Sequence, residues 1–410
     1  MRSGPSLLLP ISLCVLFGCA SETQFDLQEV ASPYAYQYTW EQERIYHAAT
    51  GTELSERELY DYLAGFRVIY VGESHDSVND HEVQLKILRA LVERFPGEVA
   101  LGLEMLRTDS QAKADQWVAG EMSEKEWMRL WAENWGLSSY PYYRDMLLYV
   151  REQRIPLVAL NRPRDTMSRP AIPVAGTEGV TAPAPVPLAD PEIDWDDPYY
   201  EAYLTAFLSG HEAGPETLQK FLRGQLLWDE TMAESGAAFL GKPANHSSKL
   251  VVFAGSNHLR YGFGVPRRLF RRVPVNYTIV SPVVANYPAD SLGKLMDIEP
   301  PELPLPPADV IWLVGYEDLE DQRITLGISI AQTEGGGVLV QEVHPGSPGE
   351  RAGLASEDII RGIDEAEVVE MFDLSYELGR KAAGDRGTLI IERNGSVREL
   401  NVEFEHYARP

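Results

Sequence analysis

The segment VIYVGESHDSVNDHEVQ, Val68–Gln84, decides the fold class. An apolar, β-branched run, Val68–Val71, breaks at Gly72 into Glu73-Ser74-His75-Asp76, and another acid-flanked histidine, His81, follows. A short apolar run ended by glycine predicts a strand buried on both faces. The period then changes. In HEVQLKILRALVERFPG, residues Val83, Ile87, Leu88, Leu91, Val92 and Phe95 recur at spacings of three and four, the face of one helix. A strand, an ionisable loop and a helix in that order open an α/β unit.

Working outward, the same alternation repeats. Strand-like runs fall at Arg67–Val71, Val99–Leu103, Ile155–Leu160, Leu250–Ala254 and Asn276–Val280, with helical patterns over 83–95, 109–134, 141–153, 198–210 and 215–240. The expected class is α/β, with a mixed, largely parallel sheet flanked by helices. Residues 170–198, rich in Pro and Ala, predict a long surface loop, and a proline-rich piece spans 298–309.

Ligands of open α/β sheets bind beyond the carboxyl ends of the strands, where loops run into helices. Here each strand end is polar. Gly72-Glu73-Ser74-His75 follows the first, Glu104 the second, and Asn161-Arg162-Pro163-Arg164 the third. Gly255-Ser256-Asn257-His258-Leu259-Arg260-Tyr261 follows the fourth, so the form Gly-x-x-His occurs twice. Asp229 joins them from the helix QKFLRGQLLWDETMAESGAAF, where it shares a face with Gln225 and Met232. Two chemistries suit this set. A histidine beside Glu73, Glu104 or Asp229 can act as general base, with His258 or Arg260 stabilising negative charge. Alternatively His75, His258 and Glu104 can hold a divalent metal. Ser74 and Ser256 lack the flanks of a nucleophile elbow.

Composition bounds the rest. The chain has 410 residues, 44% of them hydrophobic, enough for two or three domains with cores of their own. A net charge of -26 argues against nucleic acid or an anionic membrane surface as partner. Residues 1–19, MRSGPSLLLPISLCVLFGC, have the short apolar core of a signal peptide, and Leu16-Phe17-Gly18-Cys19 resembles a bacterial lipobox. Cys19 is therefore the expected lipidation site, followed by a polar tether over 20–40. The expected location is the cell envelope, at the outer membrane facing the periplasm and held by lipid alone.

VGESHD, LGLEM, IPLVALNRPRD, QLLWDETMA and AGSNHLRYGFGVP together resemble the ChaN-like haem-binding uptake lipoproteins of the Tiki superfamily, over roughly residues 41–316. The resemblance implies haem as cargo for iron acquisition, tyrosine ligation of the iron, and pairing of two subunits around stacked haems. It also implies that the scaffold can support hydrolysis, since Tiki-type proteases and erythromycin-esterase-like hydrolases are relatives. His75, Glu104, Asp229 and His258 would then line a shared cleft. For haem, the aromatic segment WAENWGLSSYPYYRDMLLYV offers Tyr142 or Tyr143 as iron ligand, with Arg144 expected to lower the phenol pKa. Tyr261 is grouped with them as a cofactor-binding residue. No Cys-x-x-Cys-His is present, which excludes that mode of covalent attachment.

From about residue 322 the pattern changes again. LGISIAQTEGGGVLVQEVHPGSPGERAGLASEDIIRGIDEAEV reads as short strands, a glycine hairpin and a turn into a short helix. It resembles a bacterial PDZ domain, a small β-barrel-like unit over 322–405. The resemblance makes Leu326, Gly327 and Ile328 the loop that holds a peptide carboxylate, with a helix near 373–382 as the groove's other wall.

Overall fold

The structure, a computed structural model, describes residues 41–163, 193–194, 197–208, 215–288, 305–319 and 323–407. Cys19, the tether, Arg164 and nearly all of the 170–198 loop lie outside these residues. Among the described residues no helix is long and apolar enough to cross a membrane.

The N-terminal domain is built on eight strands: β1 (Ile45–His47), β2 (Thr52–Leu54), β3 (Val68–Glu73), β4 (Val99–Arg107), β5 (Leu157–Asn161), β6 (Lys249–Gly255), β7 (Tyr277–Asn286) and β8 (Val310–Gly315). Their order in the sheet is β2-β1-β8-β7-β3-β6-β4-β5. β8 through β5 are parallel, and the β1–β2 hairpin adds an antiparallel edge beside β8. The mixed, largely parallel sheet is as the alternating pattern predicts. β6 lies between β3 and β4, so the carboxyl ends of these three strands, with Glu73, Glu104 and Gly255, are neighbours although distant in sequence.

Helices cover both faces: α1 (Glu56–Leu63), α2 (Val78–Arg94), α3 (Gln111–Ala119), α4 (Glu124–Asn134), α5 (Tyr140–Gln153), α6 (Pro198–Leu208), α7 (Pro215–Leu240) and α8 (Val265–Arg272). The two-residue strand period divides the core. Ile69, Val71, Leu101, Leu103, Val251 and Phe253 pack with Leu88 of α2, Trp131 of α4 and Leu147 of α5. Their neighbours Val68, Tyr70, Ala100, Leu250 and Val252 pack with Met232 of α7 and Leu269 of α8. The expected helix over 109–134 is two helices. Gly120 ends α3 in the left-handed conformation (φ 78°), and the Ser123–Glu126 capping box starts α4. The short β1–β2 hairpin carries no sustained alternation and was not anticipated.

The second domain is antiparallel: β9 (Ile324–Thr325), β10 (Ile328–Gln332), β11 (Val338–Val343), α9 (Pro348–Ala352), β12 (Ile359–Ile363), β13 (Ala366–Glu367), α10 (Met371–Leu378), β14 (Arg386–Arg393), β15 (Ser396–Glu403) and β16 (Glu405–His406). The main sheet runs β10-β11-β12-β14-β15, with β13 on β12, and β9 and β16 form a separate ribbon. Leu326, Val340, Ile360, Leu374, Leu389 and Phe404 form its core. β10 is an edge strand, with Ile328 and Ile330 half-buried against this core.

The segment that leaves the first sheet is stitched back onto it. Gly315 O accepts from Asn79 Nδ2 at 2.8 Å, and Glu317 O accepts from Val78 N at 2.8 Å. Leu319 N donates to the Tyr142 hydroxyl at 2.8 Å. A second link joins the domains directly. Lys125 Nζ of α4 lies 2.9 Å from Asp373 of α10, and Arg129 pairs with Glu370, its guanidinium 4.5 Å from the Phe372 ring centre.

Candidate functional site

Glu73 closes β3 and is buried among four side chains. His75 Nδ1 lies 2.7 Å from Oε1, and the Tyr143 hydroxyl donates to the same oxygen at 2.5 Å. Gln84 Nε2 donates to Oε2 at 2.6 Å, and His81 Nδ1 lies 3.4 Å from it. Burial alone would raise the Glu73 pKa, but the charge of His81 and the bond from His75 outweigh it and hold the carboxyl down at about 2. The turn carrying His75 is fixed from α2: Asp80 accepts from Ser74 N at 2.7 Å and from Ser77 Oγ at 2.9 Å. Burial nonetheless pushes Asp80 up to about 6.

The second Gly-x-x-His element is held in the same way. His258 Nδ1 lies 2.5 Å from Asp229 Oδ1, and the hydroxyl of Tyr200, on α6, donates to Oδ2 of that carboxylate. Asp229 and Glu104 are both fully buried. Glu104 sits where the pairing of β4 with β5 shifts register. Its Oε2 accepts from Gly255 N at 2.6 Å, whereas its Oε1 has no hydrogen-bond partner and lies 3.4 Å from His258 Nε2. Burial acts to lower both imidazole pKa values. For His75 the Glu73 bond and the Glu104 charge prevail, for His258 the charges of Glu104 and Asp229, and each rises to about 9.

Indoles roof the pair. Trp135, the residue that caps α4, lies 5.1 Å from the His75 ring, and Trp228 lies 5.0 Å from His258, with 6.4 Å between the indoles. The His75 side chain stays 42% exposed while His258 is closed in at 8%. His75, Glu104, Asp229, His258 and Glu73 therefore do converge at one rim of the sheet. The charge of Arg260 is felt by Tyr203 and Tyr287, and Tyr261 adopts φ 58° with its ring 5.6 Å from Phe263.

The expectation for Tyr142, Tyr143 and Arg144 needs correction. Tyr143 is fully buried and commits its hydroxyl to Glu73, and the Tyr142 hydroxyl accepts from Leu319 N. Arg144 turns to Glu124, 2.6 Å away, so it lowers neither phenol. Burial raises both phenols instead, Tyr143 well above the usual value with the Glu73 charge adding to it. The metal reading gains no support either. Among the described residues no group of three or more His, Cys, Asp or Glu could hold a metal ion. Each Nδ1 is taken by its own carboxylate, and one oxygen of Glu104 by a backbone amide.

Sequence reading missed Gln84, Asp80, Tyr200 and the role of Tyr143. Gln84 and Asp80 sit on the buried side of α2, where a polar residue in an apolar stripe is the available signal. Tyr200 carries no such signal in PYYEAYLTAFL, because every tyrosine there fits a packed helix.

In the second domain, Gly327 has φ 62° in the loop before β10, and Leu326 beside it is buried. A Cβ at Gly327 would meet Ser347 Cβ at 2.3 Å and the Tyr407 ring at 2.8 Å. Gly327 N donates to Thr325 Oγ1 at 3.2 Å. The loop thus runs into an edge strand whose free side faces α10, the arrangement that accepts an added strand.

Residues 59–269, just over half of the chain, match the family described as haem-binding uptake, Tiki superfamily, ChaN, and residues 325–404 match the PDZ domain family. Among solved structures, one described as cofacial heme binding to ChaN of Campylobacter jejuni is 17% identical, with a TM-score of 0.47, over 65% of this chain and 95% of that one. The HtrA-type protease AlgW with a decapeptide is 24% identical over 22% of this chain and 30% of that one, with a TM-score of 0.21. A curated relative, a probable periplasmic DegP-like serine endoprotease of Rhizobium meliloti, is 29% identical over 92 residues. Those residues make up 22% of this chain and 18% of that protein.

Proposed function

Because the chain belongs to the haem-binding uptake family of ChaN type within the Tiki superfamily, we propose that its N-terminal domain takes up haem as cargo for iron acquisition, and that its PDZ domain recruits a polypeptide partner. The family match carries this reading. The local chemistry fits it in part. His75 is half-exposed beside Trp135, and Glu73 holds its Nδ1, an orientation that leaves Nε2 as the nitrogen that would ligate an iron at the rim, giving up its proton to do so. The hydroxyls of Tyr142 and Tyr143 do not fit that role. Purified protein titrated with ferric haem is expected to develop a Soret band. His75→Ala should shift or weaken that band, and Tyr143→Phe should leave it in place. A spectrum identical to free haem removes the proposal.

The chain is further proposed to be held at the bacterial envelope by lipid on Cys19, which the lipobox-like Leu16-Phe17-Gly18-Cys19 supports. Cys19→Ala moving the protein from the membrane fraction to the soluble fraction checks it.

A second reading is favoured by one observation: two imidazoles, each backed by its own buried carboxylate, lie beside a third carboxylate, Glu104, whose Oε1 makes no hydrogen bond and sits 3.4 Å from His258 Nε2. Iron transport alone does not call for such a set, and it suits hydrolysis.

A further inference from the structure

We propose that Gln332 is a specificity-determining residue of the PDZ groove. It fixes how far α10 stands from β10, and so limits the side chain accepted two residues before a peptide's carboxyl terminus. This deepens the reading above that the domain recruits a polypeptide, and rests on it.

The open side of β10 follows from its pairing. His344 N donates to Gly327 O at 2.9 Å before the strand, and Thr333 N donates to Gly337 O at 3.4 Å after it. Hydrogen-bonded and non-hydrogen-bonded pairs alternate in an antiparallel ladder, so Ile328, Ile330 and Gln332 turn their backbone N–H and C=O groups away from β11. The register shift after Ser329 skips Gln341 on β11 and leaves that alternation in β10 intact. The side chains of these three residues share one face. Ile328 and Ile330 rest half-buried on the second core, and Gln332 ends the row. A peptide added to this edge, its carboxylate at Leu326–Ile328, sets its last side chain beside Ile328 and the one two before it beside Ile330.

Gln332 crosses from strand to helix. Its Nε2 donates to Val369 O at 3.0 Å and to Gly337 O at 3.2 Å, and its Oε1 accepts from Met371 N at 3.1 Å. Carbonyls on one side and an N–H on the other leave the side-chain amide a single orientation. Met371 is the first residue of α10, so one of the helix N–H groups that has no partner within the helix is tied to the peptide-binding strand. Strand and helix can stand no farther apart here than one glutamine side chain and one hydrogen bond. On the outer side of α10, Lys125 and Arg129 hold Asp373 and Glu370. The helix is therefore fixed from both sides. Met371 is 41% exposed and Val369 49%, so the gap is edged with accessible apolar surface rather than filled. It admits a branched aliphatic side chain beside Ile330 and rejects an indole.

The test uses the full chain and two fluorescein-labelled peptides with free carboxyl termini, one ending Val-Ser-Val and the other Trp-Ser-Val, followed by anisotropy. Wild type should bind the first at least about tenfold more tightly, the scale of one misfitting apolar group in a pocket. Gln332→Met keeps the side-chain length and removes all three bonds. Gln332→Glu keeps the bond from Met371 N and turns its other oxygen toward two carbonyls. Both variants should tighten on the indole peptide until the two affinities lie within about threefold, because the clash that discriminates between them has been relieved. Their melting temperatures should match that of wild type. Variants that weaken on both peptides equally make Gln332 a helix cap alone and overturn the proposal. A preference unchanged from wild type, or no preference in wild type, overturns it as well. Failure of wild type to bind either peptide removes the recruitment reading itself.

Discussion

Tyr143 and Tyr200 perform one task for two imidazoles. Each hydroxyl donates to the carboxylate that receives a histidine Nδ1, so tyrosine, acid and imidazole form a chain. Such charge-assisted chains are stronger than neutral ones, and they fail expensively when one partner is removed from a buried site. Their pH dependence follows from the direction of each shift. The His258 value rises from 6.5 to about 9 on folding, so its contribution is complete below the unfolded value and is lost as pH climbs through about 9. At full strength that is on the order of 3 kcal/mol. Glu73 moves the other way, to about 2, so its contribution is present above the ordinary carboxylate range and is lost as pH falls through about 2. Urea unfolding should therefore show stability declining as pH rises from about 6.5 toward 10. His258→Gln should flatten that decline. Equal stability of the wild type at pH 6 and pH 10 contradicts the assignment.

Elements were legible where their pattern was regular. The parallel strands announced themselves because burial on both faces leaves continuous apolar runs, and α5 and α7 because their apolar stripes are long. Glu73, Glu104, Asp229 and His258 were legible for a related reason: a charge at the end of such a run, or inside such a stripe, has no place in a core unless it is partnered. Two things stayed hidden. The break between α3 and α4 depends on one glycine and one cap inside an otherwise helical stretch. The tyrosines were misassigned because residue type cannot say whether a hydroxyl faces a cleft or a neighbouring carboxylate; that is set by how α5 packs on β3. The loop before β10 permits a prediction at this scale. Gly327→Ala is strained at φ 62° and collides with Ser347, so it should disorder the loop. A fluorescent peptide with a free apolar carboxyl terminus, followed by anisotropy, should lose at least tenfold in affinity to the variant. An amidated peptide should bind the wild type as poorly. Indifference to both changes would mean the groove does not hold a terminal carboxylate.

Across the whole molecule, α4 belongs to both domains. Its buried side carries Trp127 and Trp131 into the first core, its last turn leads to Trp135 over His75, and Lys125 and Arg129 grip the first turn of α10, the groove wall. Those two cations are each about 40% exposed, so the grip adds no more than about 1 kcal/mol to stability. Its effect should be on placement. Lys125→Ala with Arg129→Ala is expected to leave the melting temperature within a few degrees of wild type and the haem titration unaltered, while speeding protease cleavage around residues 319–323. Unchanged cleavage would show that the link through 315–319 suffices by itself.

That link has a practical consequence for anyone cutting the protein in two. Val78 N, which opens the helix behind the His75 turn, is satisfied by Glu317, and the Tyr142 hydroxyl by Leu319. A stop codon after Gly315 would discard both partners and leave the imidazole on a loosened hinge, so a silent fragment of that length would say nothing about the intact molecule. The scissors belong beyond Leu319.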